Sequence, residues 1–577
     1  MLHSVLEQHL RLAVTAVLPD ANLNALLVRP CPDPKFGDYQ TAALMTLAKE
    51  RKMNPRQLAT DVLEKLDAGD ICEKVEIAGA GFINFRLRVS AIAGALESAI
   101  QGGPLFHRKA ARPRTIVIDF SSPNVAKPMH VGHIRSTILG DSLARVLRLL
   151  GHQVIADNHI GDWGTQFGML LHYVKTAQPD AGTDSMQFRI ADLEAFYKEA
   201  KKRFDEDLAF ADAARRAVVD LQASEPRTLK LWEVFCQESM RHCEEIYQRL
   251  GVKFDHTLGE SFYNSKLRPV AEELKTKGIA QESAGALAVF FEDIPQLKDH
   301  PAIIQKRDGG FNYMTTDLAT LAYRLDTWRP EEIIYVTDGR QQAHFQQLFA
   351  TFKRWQSDAN VKLAHVWFGM VLGDDGKPFK TRSGENIKLT ELLDEAEERA
   401  LKIVTEKNSD LPETERREIA RVVGLGAVKY ADLLPNRQTD YVFSWDKMLA
   451  LNGNTAPYLQ YAYARIQSIF RKLEPPALAE GRPTGKFVLT KPEEIALAKH
   501  LMNFGIVLEA VAEEYRPNYL CNYLYDLAGH FARFYESCPV LKAEPAERPV
   551  RLALCDLTAR VLQQGLDVLG IETLGQM

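Results

Sequence analysis

Two histidines three positions apart, His130 and His133, with Gly132 between them, are the residues of this chain best suited by type and spacing to phosphate chemistry. They end the run Ser121-Ser122-Pro123-Asn124-Val125-Ala126-Lys127-Pro128-Met129-His130-Val131-Gly132-His133. An imidazole can donate N–H to a phosphate oxygen, and Lys127 adds a compact cation just ahead. Gly132 has no Cβ, so a ribose or a flat base could approach the backbone closely. A nucleoside triphosphate fits these groups. The pair could instead ligate a metal, but HExxH is absent and no third ligand suggests itself; satisfied structural histidines are the other alternative.

The elements around this run must position it. Thr115-Ile116-Val117-Ile118-Asp119-Phe120 is β-branched and predicts a buried parallel strand. Ile134 to Leu147 carries apolar residues at helical spacing, so the histidine turn sits at a helix N-terminus, where backbone N–H groups attract anions. Val154 to His159 predicts a second strand, ending in Ile160-Gly161-Asp162-Trp163-Gly164-Thr165-Gln166-Phe167-Gly168. Loops at the carboxyl ends of parallel strands are where open sheets bind ligands. From about 169 to 250 the chain reads as charged helices, an insertion to which the sequence assigns no site. Ala288–Phe291 and Ala302–Gln305 read as the sheet resuming. Tyr313 and Asp317 open the next helix four positions apart, and so share one face. Ile333 to Phe345 reads as strand, loop and helix. Gly373 to Lys377 is not a phosphate-binding Walker loop: the spacing is wrong and Pro378 stands where Ser or Thr belongs.

Composition narrows the class. A chain of 577 residues should hold three or four domains, about 150 residues each. The seven cysteines are scattered and form no CxxC pair, which points away from a disulfide framework or structural zinc and towards a reduced, cytoplasmic setting. No metal site is expected. The N-terminus lacks the pattern of a signal peptide, and no run is expected to span a membrane. A formal net charge of −5 is not that of a generic polyanion binder, so no DNA partner is expected and any RNA contact must come from a local basic face.

Residues 1–108 read as a small α/β domain: a helix over Leu2 to Val17, two more between Thr41 and Leu66, then two strands over Val75 to Leu87 broken at Gly79-Ala80-Gly81. Residues 111–395 read as the nucleotide-binding domain, with an insertion at about 169–300. Residues 396–577 read as helical, with clear periodicity at Ala420–Leu434, Tyr458–Lys472 and Arg551–Leu569, and linkers near Glu474-Pro475-Pro476 and Ala543-Glu544-Pro545.

The run from Ser121 to His133 resembles the His-x-Gly-His signature of class I aminoacyl-tRNA synthetases in its extended arginyl form. Gly161-Asp162-Trp163-Gly164-Thr165-Gln166-Phe167-Gly168 is similar to a second motif of that family. Gly369 to Gly384 resembles its KMSKS loop in a degenerate form, with Phe379-Lys380-Thr381-Arg382 standing for Met-Ser-Lys-Ser. The resemblance implies a multidomain α/β plus all-α protein. Its parts would be a small α/β N-terminal domain at the tRNA elbow, a Rossmann-like class I catalytic domain with helical insertion, and a helical C-terminal anticodon-binding domain. It implies ligation of arginine to tRNA through an arginyl-adenylate, with ATP as substrate, Mg²⁺ alongside it, no editing domain, and a monomer. Tyr313 and Asp317 would hold the guanidinium, a planar cation that suits a carboxylate fork and a phenol. Asp119 would supply a second carboxylate. Ser122, Asn124 and Gln341 would hold the amino-acid head, Gln342 being the register alternative. His130, Gly132, His133, Met370 and Val371 would bind ATP. Lys127 is expected to replace the missing loop lysine, Lys380 being the other option. Asn84 is the candidate reader of tRNA, with Tyr39 and Phe82 beside it and Tyr458 at the anticodon arm. The rivals are another class I ligase and a catalytically dead RNA-binding paralogue.

Overall fold

The computed structural model describes residues 1–23, 26–177, 193–373, 375–379, 387–473 and 487–577. Lys380, Thr381, Arg382 and the linker at 474–476 lie outside these residues. The chain divides into two compact units. One comprises Ala110–Leu449 with Val568–Ile571; the other comprises Met1–Lys109, Ala450–Asp567 and Glu572–Met577.

The first unit is built on a five-stranded sheet in the order Lys362–His365, Glu332–Tyr335, Thr115–Asp119, Gln153–Asn158, His256–Thr257. Every pair is parallel. Ile116, Val117 and Ile118 have no exposed surface, because helices cover both faces, which is why this strand is apolar throughout rather than alternating. Tyr335, Asp119 and Asp157 fall in register across the three central strands, so one row of side chains lines the carboxyl edge.

Four helices, Thr165–Ala177, Leu193–Glu206, Leu208–Gln222 and Pro226–Leu250, separate Asn158 from the edge strand His256–Thr257. They close a core of their own around Phe167, Leu170, Phe210, Leu231 and Phe235. The expectation that the sheet resumes at 288–291 and 302–305 is corrected: Ala286–Val289 and Ala302–Gln305 belong to a separate three-stranded antiparallel sheet with Gln281–Ser283. Its one-sided burial gives the reason. Ala302 and Ile304 are buried while Ile303 is 42% exposed, the alternation of a sheet with one solvated face. The expected boundary at 395/396 falls inside the helix Leu389–Lys407, which packs with Glu413–Leu433 in the same unit.

In the second unit the N-terminal strands form an antiparallel sheet in the order Arg29–Pro30, Tyr39–Thr41, Phe82–Leu87, Cys72–Ala78. Gly79 and Gly81 turn the hairpin with φ of 54° and 135°, values that suit residues without a Cβ. The C-terminal helices pack in this same unit. Tyr39 donates its hydroxyl to Asn503 Oδ1 at 3.1 Å, and Lys499 pairs with Asp38 at 2.6 Å. Contrary to the sequence reading, Pro492–Glu514 is apolar enough to pass as a membrane span. It is two helices, Pro492–Leu501 and Phe504–Glu514, whose Leu497, Leu501, Phe504, Leu508 and Val511 are buried in the protein.

Candidate active site

The strand Thr115–Asp119 delivers the chain to the carboxyl edge of the sheet, and residues 120–133 form the turn that enters the helix Ile134–Leu149. Within that turn the two histidines order each other. Gly132 N–H donates to His130 Nδ1 at 3.1 Å, and His130 N–H donates to His133 Nδ1 at 3.1 Å. The rings lie 4.1 Å apart. A neutral imidazole whose Nδ1 accepts must carry its proton on Nε2, so this pattern assigns an Nε2–H donor to each ring. Burial, aided by Lys127, lowers His130 to about 4; burial, His130 and Lys127 lower His133 to about 3. Both rings are therefore neutral donors at neutral pH. Burial also lowers the pKa of the half-buried Lys127.

The far side of the turn is held by segments distant in sequence. Val131 N–H donates to Ile387 O at 3.0 Å, and Leu389 N–H to Met129 O at 3.0 Å. Arg135, 1% exposed, donates to Gly369 O at 2.8 Å and Thr439 O at 3.2 Å, and pairs with buried Asp432 at 3.0 Å. One guanidinium thus ties the histidine helix to the strand Val371–Leu372. Met370 offers its exposed side chain, since Asp440 and Tyr441 already bond its N–H and C=O. Val371 is buried and its carbonyl accepts from Phe379 N–H, so it supports the site from beneath.

Asp119 already has two partners within the fold. Its Oδ2 accepts from Arg324 at 2.6 Å and its Oδ1 from Ser122 Oγ at 2.8 Å, so a cation of the protein's own shares its charge. Arg324 is fully buried, and the in-register row explains its place: it also donates to Asp157 Oδ2 at 3.0 and 2.7 Å and lies 5.4 Å from the Tyr335 ring centre. Burial raises Asp157, only partly offset by Arg324. Through its Oδ1 Asp119 also orients the Ser122 hydroxyl.

Two further carboxylates lie beside this row. Asn312 caps the helix Tyr313–Trp328 through Met314 N–H, which sets Tyr313, 62% exposed, and Asp317 on one face. His344 Nε2 meets Asp317 Oδ2 at 2.6 Å while the Tyr313 ring centre lies 4.8 Å from the His344 ring. His159 Nε2 stands 3.8 Å from the other Asp317 oxygen. Glu260 completes the group: burial first, then the Asp317 and Asp162 carboxylates, raise it to about 8. Neither Glu260 nor His159 stood out in the sequence. His344 had a signal, its place three residues after the exposed Gln341.

Asn124, exposed, is held by backbone bonds between its neighbours and Gly161: Val125 N–H to Gly161 O at 3.1 Å and Gly161 N–H to Pro123 O at 3.0 Å. A Cβ on Gly161 would stand 2.1 Å from Asn124 Oδ1, so only glycine permits this approach. Of the tRNA candidates, Tyr39 is 2% exposed with its hydroxyl bonded to Asn503, so its ring is core and cannot stack on a base; this corrects that expectation. Asn84 is 3% exposed with Oδ1 unpartnered, and Phe36 is the exposed ring of its neighbourhood. Phe82 and Tyr458 are half-buried, the latter beside Tyr525. Among the described residues no three His, Cys, Asp or Glu side chains converge as a metal site.

Three family models match this chain: the catalytic domain of class I tRNA synthetases (R) over residues 95–445, the DALR anticodon binding domain over 459–577, and the arginyl tRNA synthetase N terminal domain over 4–87. The arginine–tRNA ligase of Laribacter hongkongensis is 49% identical over 98% of this chain and 97% of its own, and that of Chromobacterium violaceum is 48% identical over the whole of both. The arginyl-tRNA synthetase structures of Plasmodium falciparum and Thermus thermophilus superpose with TM-scores of 0.83 and 0.82, at 30% and 26% identity, covering all of this chain and 99% and 100% of theirs. With its histidine turn, its carboxylate group and all three regions matched, the chain belongs to the class I arginyl-tRNA synthetase family.

Proposed function

We propose that this protein ligates L-arginine to its tRNA in two steps at the carboxyl edge of the parallel sheet. The arginine carboxylate attacks the α-phosphorus of ATP, and the bond to the β-phosphate oxygen breaks to release pyrophosphate. A hydroxyl of the terminal tRNA ribose then attacks the arginyl carbonyl and AMP leaves. The observation that carries the reading is the pair of neutral histidines, each with Nε2–H free of the turn's own hydrogen bonds. Two fixed donors and Lys127 oppose charge developing on the phosphates, with Gly132 leaving room for the nucleotide. This is catalysis by positioning and electrostatics. Lys380 is a secondary cation, and Met370 and Val371 flank the base.

Asp317 and Glu260 receive the guanidinium and Tyr313 lies over it, while Ser122, Asn124 and Gln341 take the amino-acid head. A lysine would leave these carboxylates imperfectly paired, a discrimination that can reach about 10⁴-fold. Mg²⁺ would accompany the triphosphate and screen its charge. The N-terminal sheet around Asn84 and the helix around Tyr458 are the regions that meet tRNA, in a cytoplasmic monomer whose regions 1–108, 111–395 and 396–577 divide the labour of elbow, catalysis and anticodon.

The test is ATP–pyrophosphate exchange with each of the twenty amino acids, with and without tRNA. Exchange with arginine alone, on adding tRNA, is the expected result. Exchange with another amino acid overturns the pocket; none from folded protein makes the dead paralogue the better reading.

A further inference from the structure

Ser121 and Ser122 both adopt left-handed backbone conformations, with φ of 68° and 45°. Two consecutive non-glycine residues in this region are strained, and such strain persists only where surrounding contacts over-determine it. Here the N–H and hydroxyl groups of both Ser121 and Ser122 are engaged. Ser121 N–H donates to Ser136 Oγ at 2.9 Å, and Ser136 Oγ donates onward to Val336 O at 2.6 Å. Ser122 N–H donates to Asn158 Oδ1 at 3.1 Å. Ser121 Oγ lies 2.9 Å from both Thr137 Oγ1 and the Tyr247 hydroxyl.

Counting protons orders these contacts. Thr137 spends its hydroxyl proton on His133 O at 2.8 Å, so Ser121 must donate to Thr137. Ser121 then has no proton left for Tyr247, so the phenol donates to Ser121. The phenol in turn accepts from Asn158 Nδ2 at 3.3 Å. The chain runs in one direction: Asn158 amide, Tyr247 hydroxyl, Ser121 hydroxyl, Thr137 hydroxyl, His133 carbonyl. All four side chains are buried. Tyr247 comes from the last helix of the insertion, Pro226–Leu250, which no sequence motif connects to the site.

We infer that Tyr247 is a positioning residue for the amino-acid head: its hydroxyl holds the strained Ser121–Ser122 pair, which makes the helical insertion a working part of the arginine site. The inference rests on the reading that Ser122 and Asn124 contact that head. Tyr247 is the only member of the chain that the insertion supplies. Removing its hydroxyl leaves the buried Asn158 amide without its acceptor and releases Ser121 from one of its two side-chain restraints. The nucleotide side of the turn keeps its own bonds to Ile387, Gly369 and Thr439.

The experiment compares Tyr247→Phe with Asn124→Ala in steady-state aminoacylation at saturating tRNA, measuring KM for arginine and for ATP separately. Tyr247→Phe is expected to raise the arginine KM about tenfold, in line with one buried group left unpaired, with the ATP KM within about twofold of the parent. A merely structural loss would move both. If Tyr247→Phe leaves the arginine KM unchanged while Asn124→Ala raises it, or if both KM values rise together, the positioning role is wrong. If Asn124→Ala itself leaves the arginine KM unchanged, the head-group reading beneath it fails. Should Tyr247→Phe not fold, Ser121→Ala cuts the same chain one link on, and the same arginine-selective change is expected of it.

Discussion

Arginine should bind about eightfold more tightly at pH 8.5 than at pH 7, because Glu260 must lose a proton to pair with the guanidinium. Burial and the carboxylates of Asp317 and Asp162 raise Glu260 to about 8, and His159 and His344 flank Asp317 on the same side of the site. At pH 7 roughly one molecule in eleven then carries an ionised Glu260, and at pH 8.5 roughly three in four; apparent affinity scales with that fraction. The guanidinium itself stays charged throughout. Calorimetry of arginine binding across this range, repeated in buffers of different ionisation enthalpy, measures both the affinity and the protons released, close to one per arginine at pH 7. Glu260→Gln should bind more weakly and lose the pH dependence attributable to this site. The stability sign follows from the same shift. A carboxyl whose folded pKa lies above its ordinary value costs progressively more as pH rises from that ordinary value through about 8. Glu260→Gln should therefore gain thermal stability relative to the parent as pH increases. Identical pH profiles in parent and variant, with no proton released, would refute the reasoning.

Three further outcomes follow from the same geometry. The folded pKa values of His130 and His133 are depressed to about 4 and 3, so the unfolded chain takes up protons first as pH falls below the ordinary histidine value; stability should decline between about pH 6.5 and 4, and decline less in His133→Gln, as thermal unfolding at stepped pH would show. Arg324→Met leaves Asp119 and Asp157 buried without their cation and should cost about 3–5 kcal/mol, read as a lowered unfolding midpoint; adding Asp119→Asn and Asp157→Asn should recover much of it, and no recovery would sink the pairing argument. Lys127→Ala should reduce tRNA-dependent pyrophosphate exchange by about 10²-fold or more with little change in arginine KM, and by more than Lys380→Ala does; the reverse ranking would move the main cation to the loop.

How much of this was readable in the residues depends on how local the cause is. The strand, turn and helix from Thr115 to Leu149 are written in adjacent residues, and the structure forms them where the periodicity predicts. Tyr313 and Asp317 share a face because four positions make a helical turn, and Asn312 starts that helix. The separate sheet was misread because a four-residue apolar run such as Ala302–Gln305 looks the same in a buried parallel sheet and a half-solvated one. The internal pairing of Asp119 was not legible for a different reason. Its partner Arg324 lies far along the chain, in a helix whose pattern marks it as amphipathic but does not say which strand residue its guanidinium will meet.

The distribution of charge in this site argues for a division of labour that no single motif states. Two carboxylates, Asp119 and Asp157, are consumed by a buried arginine of the protein's own, while Asp317 and Glu260 stand beside them with histidines and each other for company. A site holding four unopposed carboxylates would repel itself; Arg324 supplies a permanent internal cation to the inner pair. Asp119 of this inner pair accepts from the Ser122 hydroxyl, and Asn158, the neighbour of Asp157, accepts from the Ser122 N–H in the strained turn. Asp119 thus links the buried Arg324 to the hydroxyl of Ser122 in the strained turn. A variant that weakens Arg324 without unfolding the protein, Arg324→Lys, should accordingly shift arginine KM as well as stability. Loss of stability with an unchanged arginine KM would show that the inner pair is scaffold only, and that the strained turn is held without it.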